Sequence, residues 1–305
     1  DIDLTIYLYS TKECNANLKE ILPKKLNIIY VSDLNNFYPS KNINSLIVDI
    51  KDRNILGKFL IKFKSISQSK VIVYDDDPRN FPFIEFVEYL IDANLKLLEF
   101  NDINIKIGSC KDKVLIGPGY ANNFICKDKI EISKKFSFDL VIYFGSNDSK
   151  KIIHRLIDSD FFDYNKNLKT LIVTGKYNND QNNIQKKLAK YQNITIINHT
   201  NEWFFYLKNS NILLTNYGTS FWDGCIFKNT IIAISTEYDQ IESSMVMRNL
   251  KIAYDLGWHA FLDISELNKI IQNSNKKSLV IYRNLEEFIK KCTIINDDFI
   301  SYLKD

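Results

Sequence analysis

The residues of this chain that can do chemistry cluster where apolar runs end. The fullest set spans Asn211 to Ile234, NILLTNYGTSFWDGCIFKNTIIAI. Ile212 to Leu214 reads as a buried strand, Thr215 to Ser220 as a turn, and the next residues as a short helix carrying Asp223. Thr230 to Ile234 reads as a further strand. Gly218 permits a tight turn, and the hydroxyls of Thr219 and Ser220 suit a helix cap. Free backbone N–H groups and the helix dipole converge at such a turn and favour an anion. Asp223, about one helical turn further on, can accept hydrogen bonds from ribose hydroxyls. Recognition of a nucleoside diphosphate is the chemistry implied. A plain strand-to-helix connection has the same outline.

Other strand ends carry comparable groups. Gly145-Ser146-Asn147-Asp148 follows the strand Leu140 to Phe144; Asn147 and Asp148 either cap the helix from about Ser149 or line the opposite wall of a nucleotide or sugar pocket. Asp239-Gln240 follows the strand Thr230 to Ile234 and either caps a helix or holds a phosphate or sugar hydroxyl. Gly117-Pro118-Gly119-Tyr120-Ala121 leaves the strand Val114 to Ile116 as a rigid exit, or presents Tyr120 to a sugar. His199 lies just past the strand Ile194 to Ile197. His154 falls within a helix, and His259 follows Gly257-Trp258 without a readable role. Asp75-Asp76-Asp77 invites a hard cation, but neighbours on an extended chain point apart, and Pro78 makes a solvated turn the simpler reading. No metal or cofactor is expected. Neither a Ser-His-Asp set nor HExxH is present.

What must position these groups is an alternation of strands and helices. Leu4 to Ser10, Asn27 to Val31, Ser45 to Asp49, Lys70 to Tyr74, Tyr89 to Asp92 and Val114 to Ile116 read as strands. Ile55, Leu56, Phe59, Leu60 and Phe63 recur at helical spacing between two of them. A second series follows from Asp139: Leu140 to Phe144, Leu168 to Thr174, Ile194 to Ile197, Ile212 to Leu214 and Thr230 to Ile234. Helices are expected over about 149–158, 180–191 and 203–208, and in the tail over 285–303 with a break near Asn296. These strands are apolar on both faces, as buried parallel strands are. The class is therefore α/β, with two doubly wound domains, 1–136 and 137–305, facing a cleft at the carboxyl ends of their sheets.

Composition narrows the partners. The 305 residues are 45% hydrophobic and 25% charged, with 40 basic and 37 acidic residues and a net charge of +3. That balance leaves no electrostatic footprint for nucleic acid. Five dispersed cysteines, without a CxxC pair, fit a reduced compartment and predict a cytoplasmic protein. No apolar run approaches the roughly 20 residues of a membrane span.

Taken in order, these turns resemble the UDP-sugar hydrolases of pseudaminic acid biosynthesis, a family related to spore-coat polysaccharide proteins and to GT-B glycosyltransferases. The likeness rests on Ile47-Val48-Asp49, Val71 to Asp76, Ile116-Gly117-Pro118-Gly119-Tyr120-Ala121, Phe144-Gly145-Ser146-Asn147-Asp148, Thr215 to Asp223, Asp239-Gln240 and Leu256-Gly257. The family glutamate on the nucleotide-binding helix is Asp223 here, and the proline before the next strand is Thr230. The family's catalytic Gly-x-Gly-His loop is absent from the chain. Because Leu4 aligns with the family's second strand, the first domain is expected to lack its first strand–helix unit or to have it upstream of Asp1. The resemblance implies UDP on the second domain, diphosphate at Gly218 to Ser220, ribose near Asp223, and a sugar facing Tyr120. Hydrolysis by inverting attack of water at the anomeric carbon is the leading expectation. A GT-B glycosyltransferase and a non-catalytic nucleotide-sugar-binding protein are the alternatives.

Overall fold

The computed structural model describes residues 5–9, 27–31, 45–50, 52–75, 81–92, 114–116, 137–274 and 279–304. Contacts group the chain into two compact units. One holds Asp1–Asp92, Asp102–Leu115 and Phe299–Asp305; the other holds Ala93–Asn101 and Ile116–Asp298. The expected boundary at 136–137 borders residues outside the described set.

In the first unit, β1 (Thr5–Tyr9) and β2 (Asn27–Val31) pair in parallel, Thr5 opposite Asn27. A four-stranded sheet follows in the order β3 (Ser45–Val48), β4 (Lys70–Tyr74), β5 (Tyr89–Asp92), β6 (Val114–Ile116). Its first two ladders are parallel. Helix α1 (Arg53–Ile66) connects β3 to β4. It starts because Asp52 accepts hydrogen bonds from the N–H groups of Asn54 and Ile55, at 2.8 and 3.1 Å. Leu56, Phe59, Leu60 and Phe63, one stripe at helical spacing, are buried against Val71, Val73 and Leu90.

The second unit contains β7 (Phe138–Tyr143), α2 (Ile152–Ile157), α3 (Phe161–Tyr164), β8 (Thr170–Val173), α4 (Gln181–Leu188) and β9 (Ile194–Ile197). Then come α5 (Trp203–Lys208), β10 (Ser210–Asn216), α6 (Thr219–Ile226), β11 (Thr230–Ser235), α7 (Asp239–Leu250), β12 (Tyr254–Trp258), α8 (Ile264–Ser274) and α9 (Leu279–Lys304). The six strands are parallel in the order β12-β11-β10-β7-β8-β9. Counted within the unit this is 6-5-4-1-2-3, the doubly wound dinucleotide-binding order. Strand parity divides the core. Leu140, Ile142, Ile212, Leu214, Ile232 and Ile234 face α2, α3, α4 and α8. Val141, Val173 and Leu213 pack under α5, and Ile231 and Ala233 under α6, α7 and α9. Each large side chain fully buried in these layers contributes roughly 1.5–3 kcal/mol.

The α/β class and the parallel ladders within both units match the sequence expectation of two Rossmann-like domains. Several details differ. β12 was not expected, because Asp255 and Gly257 interrupt its apolar pattern; it is an edge strand, offset from β11 by a register shift. The helix after β7 starts at Ile152 rather than near Ser149, because the intervening residues form a longer turn. α9 runs without a break past Asn296. No helix among the described residues is long and apolar enough to cross a membrane.

Candidate functional site

In a doubly wound sheet the crevice lies beyond the carboxyl ends of the two central strands, where successive crossovers leave in opposite directions. Here those strands are β7 and β10. A pocket of about 180 Å³ occupies that place, lined by the turn Phe144 to Lys150, by Asn216 at the end of β10, and by Thr236 and Glu237 after β11.

The turn after β7 is tightly coiled. Gly145 has φ +78°, Asp148 +44° and Lys151 +53°, three left-handed residues within seven positions. Only the first is glycine; aspartate tolerates this region better than most residues because its short side chain bonds locally. Asp148 does so fully. Its two carboxylate oxygens accept from the N–H groups of Ile152 at 2.9 Å and Ile153 at 3.0 Å. The side chain therefore occupies the N-terminus of α2 and takes up two of its free N–H groups. The turn is also clamped from β8. A Cβ on Gly175 would fall 2.2 Å from backbone atoms of Ser146, and Tyr177 N–H donates to the Ser146 carbonyl at 2.9 Å.

Burial pushes the Asp148 carboxyl up to about 6, against the opposing pull of the Ile153 and Ile152 N–H groups. A carboxyl raised in the folded state binds its proton more tightly there than in the unfolded chain. Its contribution to stability is full below the ordinary aspartate range and is lost as pH rises through about 6. The expected result is that wild type loses stability relative to Asp148→Asn as pH rises from about 4 to about 6.5. Denaturant midpoints of both proteins across that range check this; a constant difference would exclude the titration.

The facing wall is a relay of polar side chains. Asn216 Nδ2 donates to Thr236 Oγ1 at 3.1 Å. Gln240 Oε1 accepts from Thr236 N–H at 2.8 Å and from Thr236 Oγ1 at 3.1 Å. Gln240 thus stands behind the pocket, buried, and fixes the residue that lines it. Asp239, its neighbour, is exposed.

α6 begins at the same edge but differs from the sequence expectation. Gly218 is extended, φ −129° and ψ −161°, and caps the helix with no side chain. An added Cβ would make only an ordinary contact, 3.6 Å from Asn216 Oδ1, so no left-handed turn demands this glycine. Thr219 and Ser220 are the first helical residues, so their hydroxyls do not occupy the cap position. Thr219 is exposed and Ser220 buried.

Asp223 faces α5. Trp203 Nε1 donates to its Oδ2 at 2.9 Å, and the Trp203 ring lies 4.9 Å from that of Tyr143 at the end of β7. Burial pushes this carboxyl up to about 6, and the indole N–H opposes it. Asp223 is not among the residues lining the pocket.

The expected site residues therefore separate into groups. Gly145, Asn147 and Asp148 line the pocket together, with Gln240 one residue behind it. Gly218, Thr219, Ser220 and Asp223 belong to α6 at the adjoining strand end. His199 is exposed beyond the edge strand β9, with β8 between that strand and β7. Tyr120 lies outside the described residues, as do Asp76 and Asp77; Asp75 pairs with Arg53 at 3.2 Å. His154 contacts Asp180 at 2.5 Å, joining α2 to the start of α4. Among the described residues no three His, Cys, Asp or Glu side chains stand together as a metal site.

Sequence reasoning passed over Lys150, Asn216, Thr236 and Glu237 in the pocket, Gly175 behind its turn, and Trp203 against Asp223. A usable signal existed for Gly175, which follows β8 as Gly145 follows β7, and for Thr236-Glu237, the polar pair that leaves β11.

By sequence, no family model and no curated protein matches the chain. By fold it resembles Arabidopsis thaliana UGT89C1 complexed with UDP-L-rhamnose (TM-score 0.60, 11% identity, covering 98% of this chain and 91% of that one). It also resembles LpCGTa in complex with UDP (TM-score 0.60, 10% identity, 99% and 92%) and Acinetobacter baumannii MurG (TM-score 0.58, 11% identity, 98% and 89%). These are GT-B glycosyltransferases, and the chain has their fold.

Proposed function

We infer that the protein binds a nucleotide sugar, with UDP as the nucleotide, and transfers the sugar to an acceptor. The observation that carries this is the pocket at the β7–β10 switch point of a GT-B fold. Two helices start at that crevice. Asp148 fills the beginning of α2, whereas Gly218 leaves the beginning of α6 without a side-chain cap. The diphosphate is assigned to the α6 end, beside Gly145, Gly218, Thr219, Ser220 and Asn216, where N–H groups and the helix dipole favour it. Asp223, oriented by Trp203, is assigned to the ribose. The sugar is assigned to the edge formed by Asn147, Thr236 and Asp239, with Gln240 holding Thr236 from behind. UDP or UDP-L-rhamnose in two of the similar structures supports the nucleotide assignment. N–H groups aimed at the leaving diphosphate would stabilise the charge that develops as the anomeric bond breaks. No residue is assigned as the base.

A second reading, hydrolysis of a UDP-sugar in surface-glycan biosynthesis, is favoured by the ordered turns shared with the pseudaminic acid hydrolases. On either reading residues 137–305 form the nucleotide domain and 1–136 the sugar or acceptor domain, with Tyr120 as its sugar contact. His199 is assigned to the nucleotide side, and the dispersed cysteines fit a reducing, cytoplasmic setting. Calorimetric titration is expected to give saturable UDP binding that Asn216→Ala weakens about tenfold, a loss of about 1.4 kcal/mol. Absence of binding up to millimolar UDP, with the fold intact, would sink the reading. Free sugar without an acceptor would select hydrolysis over transfer.

A further inference from the structure

The pocket holds one pair of opposite charges that its architecture does not need. Lys150 Nζ lies 3.2 Å from Glu237 Oε1, and Ser149 Oγ donates to the same oxygen at 3.1 Å. Lys150 belongs to the turn after β7 and Glu237 to the turn after β11, with β10 between those strands. The pair therefore joins one wall of the pocket to the other across the end of β10.

As a brace it is poorly placed. The two side chains keep 30% and 49% of their exposure, and ion pairs that wet contribute little to stability. Each wall is held by other means: the first by Asp148 and the Gly175 contact, the second by Gln240. The surroundings favour negative charge. Arg155 donates to the His259 carbonyl, and after burial the positive charges of Lys150 and Arg155 hold the His259 ring below its ordinary pKa. Glu237 thus supplies a carboxylate where cationic groups gather.

We propose that Lys150 is a diphosphate ligand held at rest by Glu237, and that binding exchanges the carboxylate for a phosphate oxygen. The exchange leaves the ammonium paired at every stage, and the released Glu237 carboxylate, half exposed and still bonded by Ser149, is left to solvent. A compact ammonium with three rotatable donors suits such a swap, since it needs no fixed fork geometry. Glu237 acts as an internal competitor, and ligand affinity is set by the difference between two anions on one lysine. The inference deepens the nucleotide-sugar reading and rests on it for the source of the diphosphate.

The two partners are expected to respond with opposite signs. In calorimetry, Lys150→Ala weakens UDP about tenfold or more, Lys150→Arg retains most of the affinity, and Glu237→Gln tightens it about threefold by removing the competitor. Both residues are partly exposed, so both variants are expected to unfold near the wild-type temperature; Lys150→Gln replaces the alanine variant if that one does not fold. Loss of affinity in both variants, or no change in either, overturns the exchange. If wild type does not bind UDP, the nucleotide reading falls, and titration with inorganic pyrophosphate decides the latch alone. Pyrophosphate binding with the same opposite shifts supports it, and no pyrophosphate binding overturns it.

Discussion

Gly175→Ala is expected to cost about 3 kcal/mol of stability and to disable the pocket with it. The added Cβ would stand 2.2 Å from the Ser146 carbonyl carbon and oxygen and 2.3 Å from the Gly145 carbonyl oxygen. Those are backbone atoms, so no side chain can swing aside. The turn after β7 must move, and it carries Gly145, Asn147 and Lys150 along the pocket wall. Gly145→Ala is the informative comparison. A Cβ there meets nothing within 4 Å, so its cost is the left-handed backbone alone, roughly 1–2 kcal/mol. Chemical denaturation ranks the two, and UDP titration reads the pocket. If Gly145→Ala proves the more damaging, the clamp from β8 does not hold the turn.

The second large effect is expected at Gln240, although it does not line the pocket. Its Oε1 accepts both the N–H and the hydroxyl of Thr236, and all of these groups are buried. Gln240→Ala strands that N–H donor, which costs about 1–3 kcal/mol, and releases Thr236 from Asn216's side of the relay. Nucleotide-sugar affinity is expected to fall about tenfold, or 1.4 kcal/mol. A double-mutant cycle with Asn216→Ala checks the relay. Because the two residues share Thr236, their effects on stability should depart from additivity by about 0.5 kcal/mol or more. Strict additivity would mean the wall is not one hydrogen-bonded unit.

These two residues mark how far the sequence could be read. Gln240 stood out as a polar residue at a helix start after an apolar strand, so its place was legible. Its partner was not, because hydrogen bonds such as Gln240 to Thr236 depend on side-chain direction rather than spacing. Gly175 left the opposite trace: a glycine after a strand was visible, but the atoms that exclude its Cβ belong to residues 29 and 30 positions earlier. Asp148 shows the same limit from a third side. Its type and place suited both a cap and a ligand, and only the carboxylate's orientation toward the Ile152 and Ile153 N–H groups decides for the cap.

The stretch from Asn211 to Ile234 divides in the same way. Its apolar runs determined two buried strands with a short helix between them, because residues apolar on both faces have few other places in a folded chain. β10 extends beyond the expected run at both ends, to Ser210 and Asn216, since ladder hydrogen bonds hold residues whose side chains carry no apolar signal. The alternation of such runs with helical spacing likewise pointed to the α/β class. Tertiary structure alone decided that β10 lies beside β7, 67 residues away from strand end to strand start. Strand order is a matter of which crossovers pack on which face, and local pattern does not encode it. That adjacency creates the switch point, and the switch point brings Gly145, Asn216 and Thr236 to one pocket.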